Sequence, residues 1–219
     1  MDEREPIEPD ASAFHALVRQ DMRRWLERAV IGLNLCPFAK AVHVKGQIHY
    51  AVSAAHDPQG LLDDLESELN RLLAIDPSVQ ETTLLIAPYC LAAFADFNDF
   101  LGEADDALAR LGLDGILQIA SFHPRYQFAG TAADDITNCT NRAPYPTLHL
   151  LREGSVERAV AAFPEAGLIY ERNMRTLEAL GRTGWDALGV GPTPGKPGPD
   201  VVIPAPSRNP SPPRGTIGP

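Results

Sequence analysis

The chain is poor in basic residues and in cysteine. Among 219 residues, 19 are Lys or Arg and 29 are Asp or Glu, which gives a formal net charge of −10. Because nucleic acids and anionic membranes bind proteins mainly through clustered Lys and Arg, we expect neither as a partner. The three cysteines, Cys36, Cys90 and Cys139, are an odd number at wide spacings. That pattern is neither a disulfide framework nor a zinc motif, and it suits a reducing, cytoplasmic location.

Long apolar runs and common catalytic signatures are also missing. No segment approaches the length of a membrane span, and the first ten residues, MDEREPIEPD, are acidic rather than the basic start of a secretory signal. The sequence contains no G-x-S-x-G, no P-loop, no H-E-x-x-H and no G-x-G-x-x-G after a strand. A function must therefore be argued from weaker groups of residues.

The two ends differ in composition from the middle of the chain. Residues 1–11 are charged and show no period, which predicts a flexible acidic arm. Ten of the twenty prolines lie in residues 190–219, which predicts a disordered Pro/Gly-rich tail. Residues 12–189 show neither an internal repeat nor a second core, so we expect them to form a single domain.

Within the middle, helical and strand periods alternate. Short apolar or alternating runs predict strands at 47–53, 82–87, 116–121 and 147–151. Apolar stripes of helical period predict helices at about 12–30, 57–73, 94–111, 155–163 and 168–180. Strands separated by helices indicate an α/β sandwich, with a small mixed sheet of about four strands flanked by helices.

One polar connection stands out between the last two predicted strands. The segment 121–152, SFHPRYQFAGTAADDITNCTNRAPYPTLHLLR, has neither helical nor strand period. Long structureless connections inside compact domains are usually functional or disordered, and Tyr126, Phe128 and Tyr145 are residues that favour burial. We therefore expect the functional site in this segment, with Asn138 and Asn141 among the residues that contact a ligand.

His123 and His149 are the candidate acid–base residues of this segment. His123 follows one predicted strand and His149 lies inside the next, so the two imidazoles would converge if the strands are neighbours. Either would then act as a general base, or both would share a metal with Asp134 or Asp135. Two histidines separated by twenty-five residues form no known ligand spacing, so we predict no metal site. The alternative is that both are structural.

Arginines are concentrated in and just after the same segment, at Arg125, Arg142 and Arg152. The planar guanidinium fork suits a carboxylate or a phosphate, which favours a small anionic ligand. The alternative is intramolecular pairing with acidic neighbours, namely Asp134, Asp135 or Glu153. Asp135 has a further interpretation, because Asp134-Asp135 can cap a short helix that runs through Asn141.

Two residues outside the segment complete the candidate site. Cys36 precedes Pro37, where a new helix can start, and a helix N-terminus would favour the thiolate. It is therefore a candidate nucleophile, against the alternative of a small buried thiol at a kink. Asn173 falls on the apolar stripe of the last predicted helix, so it needs partners; we favour a supporting role over ligand contact.

Three stretches resemble an uncharacterised bacterial family, domain-of-unknown-function family 1415. They are GLNLCPFAK, SFHPRYQFAGTAADDITNCTNRAPYPTLHLLRE and IYERNMRTLEALG, and the resemblance covers about Trp25 to Trp185. The resemblance implies a small cytosolic bacterial protein and implies no activity.

From the residues alone, the leading hypothesis is an enzyme, such as a hydrolase or transferase, that acts on a small anionic molecule. The alternative is a non-catalytic module that binds a small molecule or a protein through the same segment, and a third reading is an internally paired plug without a cavity. The cofactor and the oligomeric state are left open. The predicted catalytic residues are His123, His149 and Cys36, and the predicted ligand-binding residues are Arg125, Tyr126, Asp135, Asn138, Asn141, Arg142, Tyr145, Arg152 and Asn173.

Overall fold

The computed structural model describes residues 11–162 and 166–194 of the chain. Its centre is a mixed four-stranded sheet of order β1-β2-β4-β3. The strands are β1 (Ile48–Val52), β2 (Thr82–Ile86), β3 (Leu117–Phe122) and β4 (Thr147–Arg152). The mixed sheet of four strands flanked by helices is thus confirmed, and each predicted strand lies within two residues of its observed position.

Helices account for most of the remaining described residues. The α-helices are α1 (Ala11–Trp25), α2 (Ala39–Val44), α3 (Pro58–Ala74), α4 (Phe94–Arg110), α5 (Glu153–Ala161) and α6 (Ile169–Ala187). A π-helical turn continues α1 over Leu26–Ile31, and 3-10 turns occupy Ile136–Asn141 and Ala166–Leu168. The helix predicted at 155–163 corresponds to α5, and its predicted last residue, Phe163, lies outside the described residues.

The strand directions bring the connecting loops to one edge of the sheet. β1 and β2 are parallel, whereas β4 is antiparallel to both of its neighbours. The carboxyl ends of β1, β2 and β3 therefore meet the amino end of β4 at the same edge, which we call the upper edge. The predicted functional segment leaves β3 and enters β4 there, so residues 123–146, the long loop, start and finish at this edge.

Two apolar layers sandwich the sheet. α3 and α4 cover one face, where Leu61, Leu65, Leu69, Phe97 and Phe100 pack against strand residues such as Leu85, Leu148 and Leu150. On the other face, α1 and its π-helical turn pack against Tyr50, Leu84 and Ile86 together with Ala143 and Tyr145 of the long loop. Alternation along β4 explains the split, because Leu148 and Leu150 face α3 and α4 whereas His149 faces α1.

The first helix, with its π-helical turn, ends within one residue of the predicted boundary at about 30. The π-helical turn stops at Ile31, and Asn34 adopts a left-handed conformation with φ of 54°, which terminates the helix. α2 begins at Ala39 rather than at Pro37, because Pro37 and Phe38 form a turn. Cys36 consequently lies three residues before a helix of only six residues.

The last helix is kinked and is followed by an ordered segment. Gly181 has φ of 65°, so a first section ends near the predicted boundary at Leu180 and a second continues to Ala187. Residues 188–194, which we call the strap, then run back along α1, with the Val190 side chain buried. The first residues of the predicted tail are therefore held in the fold; 195–219 and the arm 1–10 lie outside the described residues. No helix in the described part is long and apolar enough to cross a bilayer.

Candidate functional site

His123 lies in the interior at the upper edge, with no exposed surface. Its Nε2–H donates to the carbonyl of Leu91 at 3.1 Å, and its Nδ1 accepts the main-chain N–H of Arg125 at 3.0 Å. The ring packs against Phe94 and Phe97 of α4. Burial lowers the pKa of His123 to about 4, so the ring is neutral at pH 7. Both nitrogens are occupied within the fold, which favours the structural interpretation of this residue.

His149 lies on the opposite face of the sheet. It pairs with Leu84 of β2 and Ala120 of β3, and its ring centroid is 6.1 Å from that of Phe122. Burial lowers the pKa of His149 to about 4 as well. Although β3 and β4 are neighbours, as the convergence argument required, the pleat directs His123 and His149 to different faces. The expected convergence of the two imidazoles is therefore wrong.

Asn138 organises the inside of the long loop. Its side chain is fully buried, and its Oδ1 accepts from the N–H of Phe128 and from the hydroxyl of Thr131, both at 2.9 Å. Its Nδ2 donates to the carbonyl of Ala132 at 2.8 Å. A buried amide that bonds two main-chain groups and a hydroxyl ties several parts of the loop together, so Asn138 fixes the loop's shape.

Asp135 caps the 3-10 turn Ile136–Asn141 as the capping interpretation predicted. Its Oδ1 accepts from the N–H of Thr137 at 2.9 Å and from the Thr137 hydroxyl at 2.7 Å. These hydrogen bonds lower the pKa of the Asp135 carboxyl below its ordinary value. At the end of the turn, Asn141 donates from Nδ2 to the carbonyl of Ser121 at 3.2 Å, which fastens the loop to β3.

Arg125 and Arg152 bind main-chain carbonyls far from each other. Arg125 donates to the carbonyl of Ala92, just before α4. Arg152 donates to the carbonyls of Leu72 at 2.6 Å and Ile75 at 2.7 Å, at the carboxyl end of α3. Arg152 is five residues from Thr147 along β4, which places it roughly 16 Å from the upper edge. The three arginines therefore do not form one anion site, and no carboxylate of the described residues pairs with them.

Arg142 holds the long loop together through its side chain and its main chain. Its Nε donates to the carbonyl of Tyr126 at 3.1 Å and its Nη2 to that of Ala133 at 2.6 Å. Its own carbonyl accepts the indole N–H of Trp25 at 2.8 Å. Arg142 thus braces the long loop and fastens it to α1.

The aromatic residues of the loop pack inside the protein. Tyr126 contacts the rings of Phe94 and Phe128 at centroid distances of 5.1 Å and 5.0 Å. The hydroxyl of Tyr145, a buried residue, donates to Oδ2 of Asp21 at 2.9 Å. These contacts explain why the loop keeps one shape despite lacking regular structure.

Asn173 holds the turn that precedes Cys36. Nδ2 of Asn173, which is buried, donates to the carbonyl of Leu35 at 2.8 Å. The supporting role expected for Asn173 is therefore observed, although it supports the turn before Cys36 and not the long loop. Cys36 is half-buried in the apolar layer beneath α1, and its roles as nucleophile or plain thiol stay predictions.

A cavity of about 210 Å³ opens between the long loop, the carboxyl end of α6 and the strap. Both tryptophans of the chain, Trp25 and Trp185, line it, and so do Arg142, Arg182 and Asp186. The remaining lining residues are small or apolar: Pro124, Ala143, Pro144, Val190, Gly191 and Pro192. The cavity is therefore lined by apolar and aromatic residues, two arginines and one aspartate.

The electrostatics beside the cavity are set by Arg142 and Arg182. Arg182 donates from Nη2 to the carbonyl of Asp134 at 2.8 Å, which brings α6 onto the loop. The buried thiol of Cys139 lies beside both arginines; burial raises its pKa, while the two guanidinium groups act in the opposite direction. No group of three or more His, Cys, Asp or Glu side chains within 11–162 and 166–194 is arranged to hold a metal ion.

Of the predicted site residues, the structure brings only Arg142 to the cavity wall. His123, His149 and Cys36 do not line it. Sequence reasoning missed Trp25, Arg182, Trp185 and Asp186, which lie outside the polar segment. The one signal in the sequence was the scarcity of tryptophan: the chain has only two, and both line the cavity.

The fold and the cavity define a small mixed α/β protein whose polar loop lies across one end of the sheet. The chain belongs to the family described as "Protein of unknown function (DUF1415)", whose model matches residues 17–187. The family resemblance drawn from the sequence motifs is thereby confirmed. Comparison with curated proteins and with solved structures gives no match.

Proposed function

We propose that this protein binds a small anionic molecule with a flat apolar part in the cavity between Trp25 and Trp185. The observation that carries the proposal is that two tryptophans and two arginines line one cavity of about 210 Å³. Ligand sites are typically concave and largely apolar, with few polar groups that fix the orientation of the ligand.

The two arginines support an anion as the ligand. Main-chain carbonyls take Nε and Nη2 of Arg142 and Nη2 of Arg182, so further N–H donors of both side chains remain for a ligand. The same bonds hold each guanidinium group in place before a ligand arrives, which reduces the entropy cost of binding. With a net charge of −10 on the chain, two arginines on one cavity wall favour an anion locally.

The geometry supports binding more than catalysis. The lining residues include no histidine and no cysteine, and the one carboxylate among them, Asp186, is exposed and has no second acid–base residue beside it on the wall. His123 uses both ring nitrogens inside the fold. The internally paired plug is not favoured either, because a cavity remains beside the braced loop.

Tryptophan fluorescence tests the proposal directly, since both indole rings of the chain line the cavity. The probe is phenyl phosphate, with inorganic phosphate and benzyl alcohol supplying the anion and the ring separately. We expect a saturable change with phenyl phosphate and weaker binding of either component. If phenyl phosphate produces no saturable change in fluorescence or in calorimetry, the proposal fails.

A further inference from the structure

The strap, residues 188–194, forms one wall of the cavity through Val190, Gly191 and Pro192. Val190 and Leu188 pack against the apolar layer, and polar contacts with α1 and its π-helical turn hold the rest of the strap. Nε of Arg24 donates to the carbonyl of Gly189 at 2.8 Å, and its Nη2 donates to that of Gly191 at 2.9 Å. Arg28 adds a bond from Nη1 to the carbonyl of Leu188 at 2.9 Å.

Asp21 is the centre of this attachment. Its carboxylate is fully buried, and both of its oxygens accept from Thr193: Oδ1 from the hydroxyl at 2.5 Å and Oδ2 from the N–H at 2.8 Å. Arg24 and Tyr145 supply the other two donors, at 2.6 Å and 2.9 Å. Burial alone would raise the pKa of Asp21, but these hydrogen bonds outweigh it and the pKa lies below its ordinary value.

A short segment held by two apolar side chains and by hydrogen bonds at the surface opens locally at a smaller free-energy cost than the whole domain. When the strap opens, the cavity loses the wall formed by Val190, Gly191 and Pro192. A ligand that contacts this wall binds the closed state better than the open state, so it stabilises the closed strap. Ligand affinity and strap closure are then linked.

Building on the ligand cavity proposed above, we propose that Asp21 and Thr193 form a latch that positions the strap and thereby sets the affinity of the cavity. Asp21 and Thr193 are positioning residues, since neither lines the cavity. The latch has a quantitative consequence: the apparent dissociation constant equals the intrinsic one divided by the closed fraction of the strap. A strap that is closed about half of the time should bind about two-fold more weakly, and one closed about a tenth of the time about ten-fold more weakly.

The test measures both quantities in the full chain. Hydrogen exchange of the amide at position 193, followed by NMR, gives the open fraction, and fluorescence titration with phenyl phosphate gives the affinity. The variants are Thr193→Val, which removes one hydroxyl, and Asp21→Asn combined with Thr193→Val, which removes most of the latch. Thr193→Ser restores the hydroxyl, and Thr176→Val removes a hydroxyl bonded only within α6, to the carbonyl of Arg172.

We expect exchange at position 193 to speed up about ten-fold in Thr193→Val, return toward wild type in Thr193→Ser and stay unchanged in Thr176→Val. Affinity should follow the measured closed fraction, and saturating phenyl phosphate should slow the exchange. Unchanged exchange in the double variant would overturn the latch. A strap that is mostly open while affinity stays at the wild-type value would overturn its link to the cavity. Wild-type protein that binds no phenyl phosphate would instead refute the proposed function, and the link with it.

Discussion

The indole N–H of Trp25 donates to the main-chain carbonyl of Arg142 at 2.8 Å. This bond joins the end of α1 to the long loop, across 117 residues of sequence. Trp25 is buried and its ring also meets Phe122 edge to face at 5.1 Å. The bond therefore holds the backbone of the arginine that lines the cavity, while the ring forms part of the cavity wall.

Trp25→Phe should lower the free energy of unfolding by about 1–3 kcal/mol, because the carbonyl of Arg142 loses its donor in a buried place. Phenyl phosphate should bind about three- to ten-fold more weakly, because the indole of Trp25 no longer holds the main chain of Arg142 in position. Trp185→Phe is the matched control for stability, because the Trp185 indole N–H donates to no described residue. Urea unfolding followed by circular dichroism measures the difference; equal losses in the two variants would show that the bond contributes nothing.

His123 should make the protein sensitive to mild acid. Its pKa is lowered from 6.5 to about 4 in the fold, so the unfolded chain takes up a proton at a pH where the native ring stays neutral. The stabilisation is present above pH 6.5, is lost as the pH falls from 6.5 toward 4, and amounts to about 3 kcal/mol.

His123→Gln should show a smaller loss of stability over this range, and it should be less stable at pH 7 because Arg125 N–H loses its acceptor. Urea unfolding at pH 7 and at pH 5 provides the comparison. An acid sensitivity as steep in the variant as in the wild type would assign the effect to other groups.

His149→Leu separates a structural histidine from a functional one. No described residue hydrogen-bonds the His149 imidazole, and its cross-strand neighbours Leu84 and Ala120 are apolar. Leucine should therefore keep the stability at pH 7 within about 1 kcal/mol of wild type and reduce the loss on acidification. His149→Asn, which places an amide in the same site, should cost more. A large loss at pH 7 in the leucine variant would indicate a polar contact that the ring requires.

Asp186→Asn should strengthen the binding of an anion. The carboxylate lies on the cavity wall with Arg142 and Arg182, where it repels a negative ligand. We expect phenyl phosphate to bind about two- to five-fold more tightly at low salt, with a smaller gain at high salt because the site is partly open to solvent. Asp99→Asn, on the outer surface of α4, is the control and should change nothing. Weaker binding by Asp186→Asn would mean that the carboxylate accepts a hydrogen bond from the ligand.

The fold could be predicted because its signals are local. Alternating residues in 47–53 and the apolar run at 82–87 each specify a strand, and Gly112, with φ of 67°, follows α4 in the left-handed conformation that ends many helices. The end of the first helix is also predicted to within a residue, but the π-helical form of its last turn, Leu26–Ile31, is not, because the apolar period does not distinguish it from an α-helix. The sequence also places Val190 in the Pro-rich tail, whereas the structure buries its side chain in the apolar layer of α1.

The site could be predicted only in part, because its residues meet through tertiary contacts. The segment 121–152 was rightly singled out as structured and polar, and the Asp135 cap follows from its sequence position. The partners of Arg125 and Arg152 are main-chain carbonyls, which every residue offers, so no sequence pattern could reveal them. Trp25, Arg182 and Trp185 lie on two helices at opposite ends of the chain, and only the packing of α6 on the loop brings them together.

The strongest test of the proposed anion site is the binding of phenyl phosphate to Arg182→Gln, measured by isothermal titration calorimetry. Arg182 is exposed, and its side chain bonds the carbonyl of Asp134 and the thiol of Cys139, both in the long loop, so we expect its replacement to leave the fold intact. Arg175→Gln removes the same charge from an exposed position on α6 outside the cavity. If Arg182 holds the anion, Arg182→Gln should bind phenyl phosphate at least about ten-fold more weakly, while the affinity of Arg175→Gln should stay within about two-fold of wild type. Wild-type affinity in folded Arg182→Gln protein would contradict the proposed anion site.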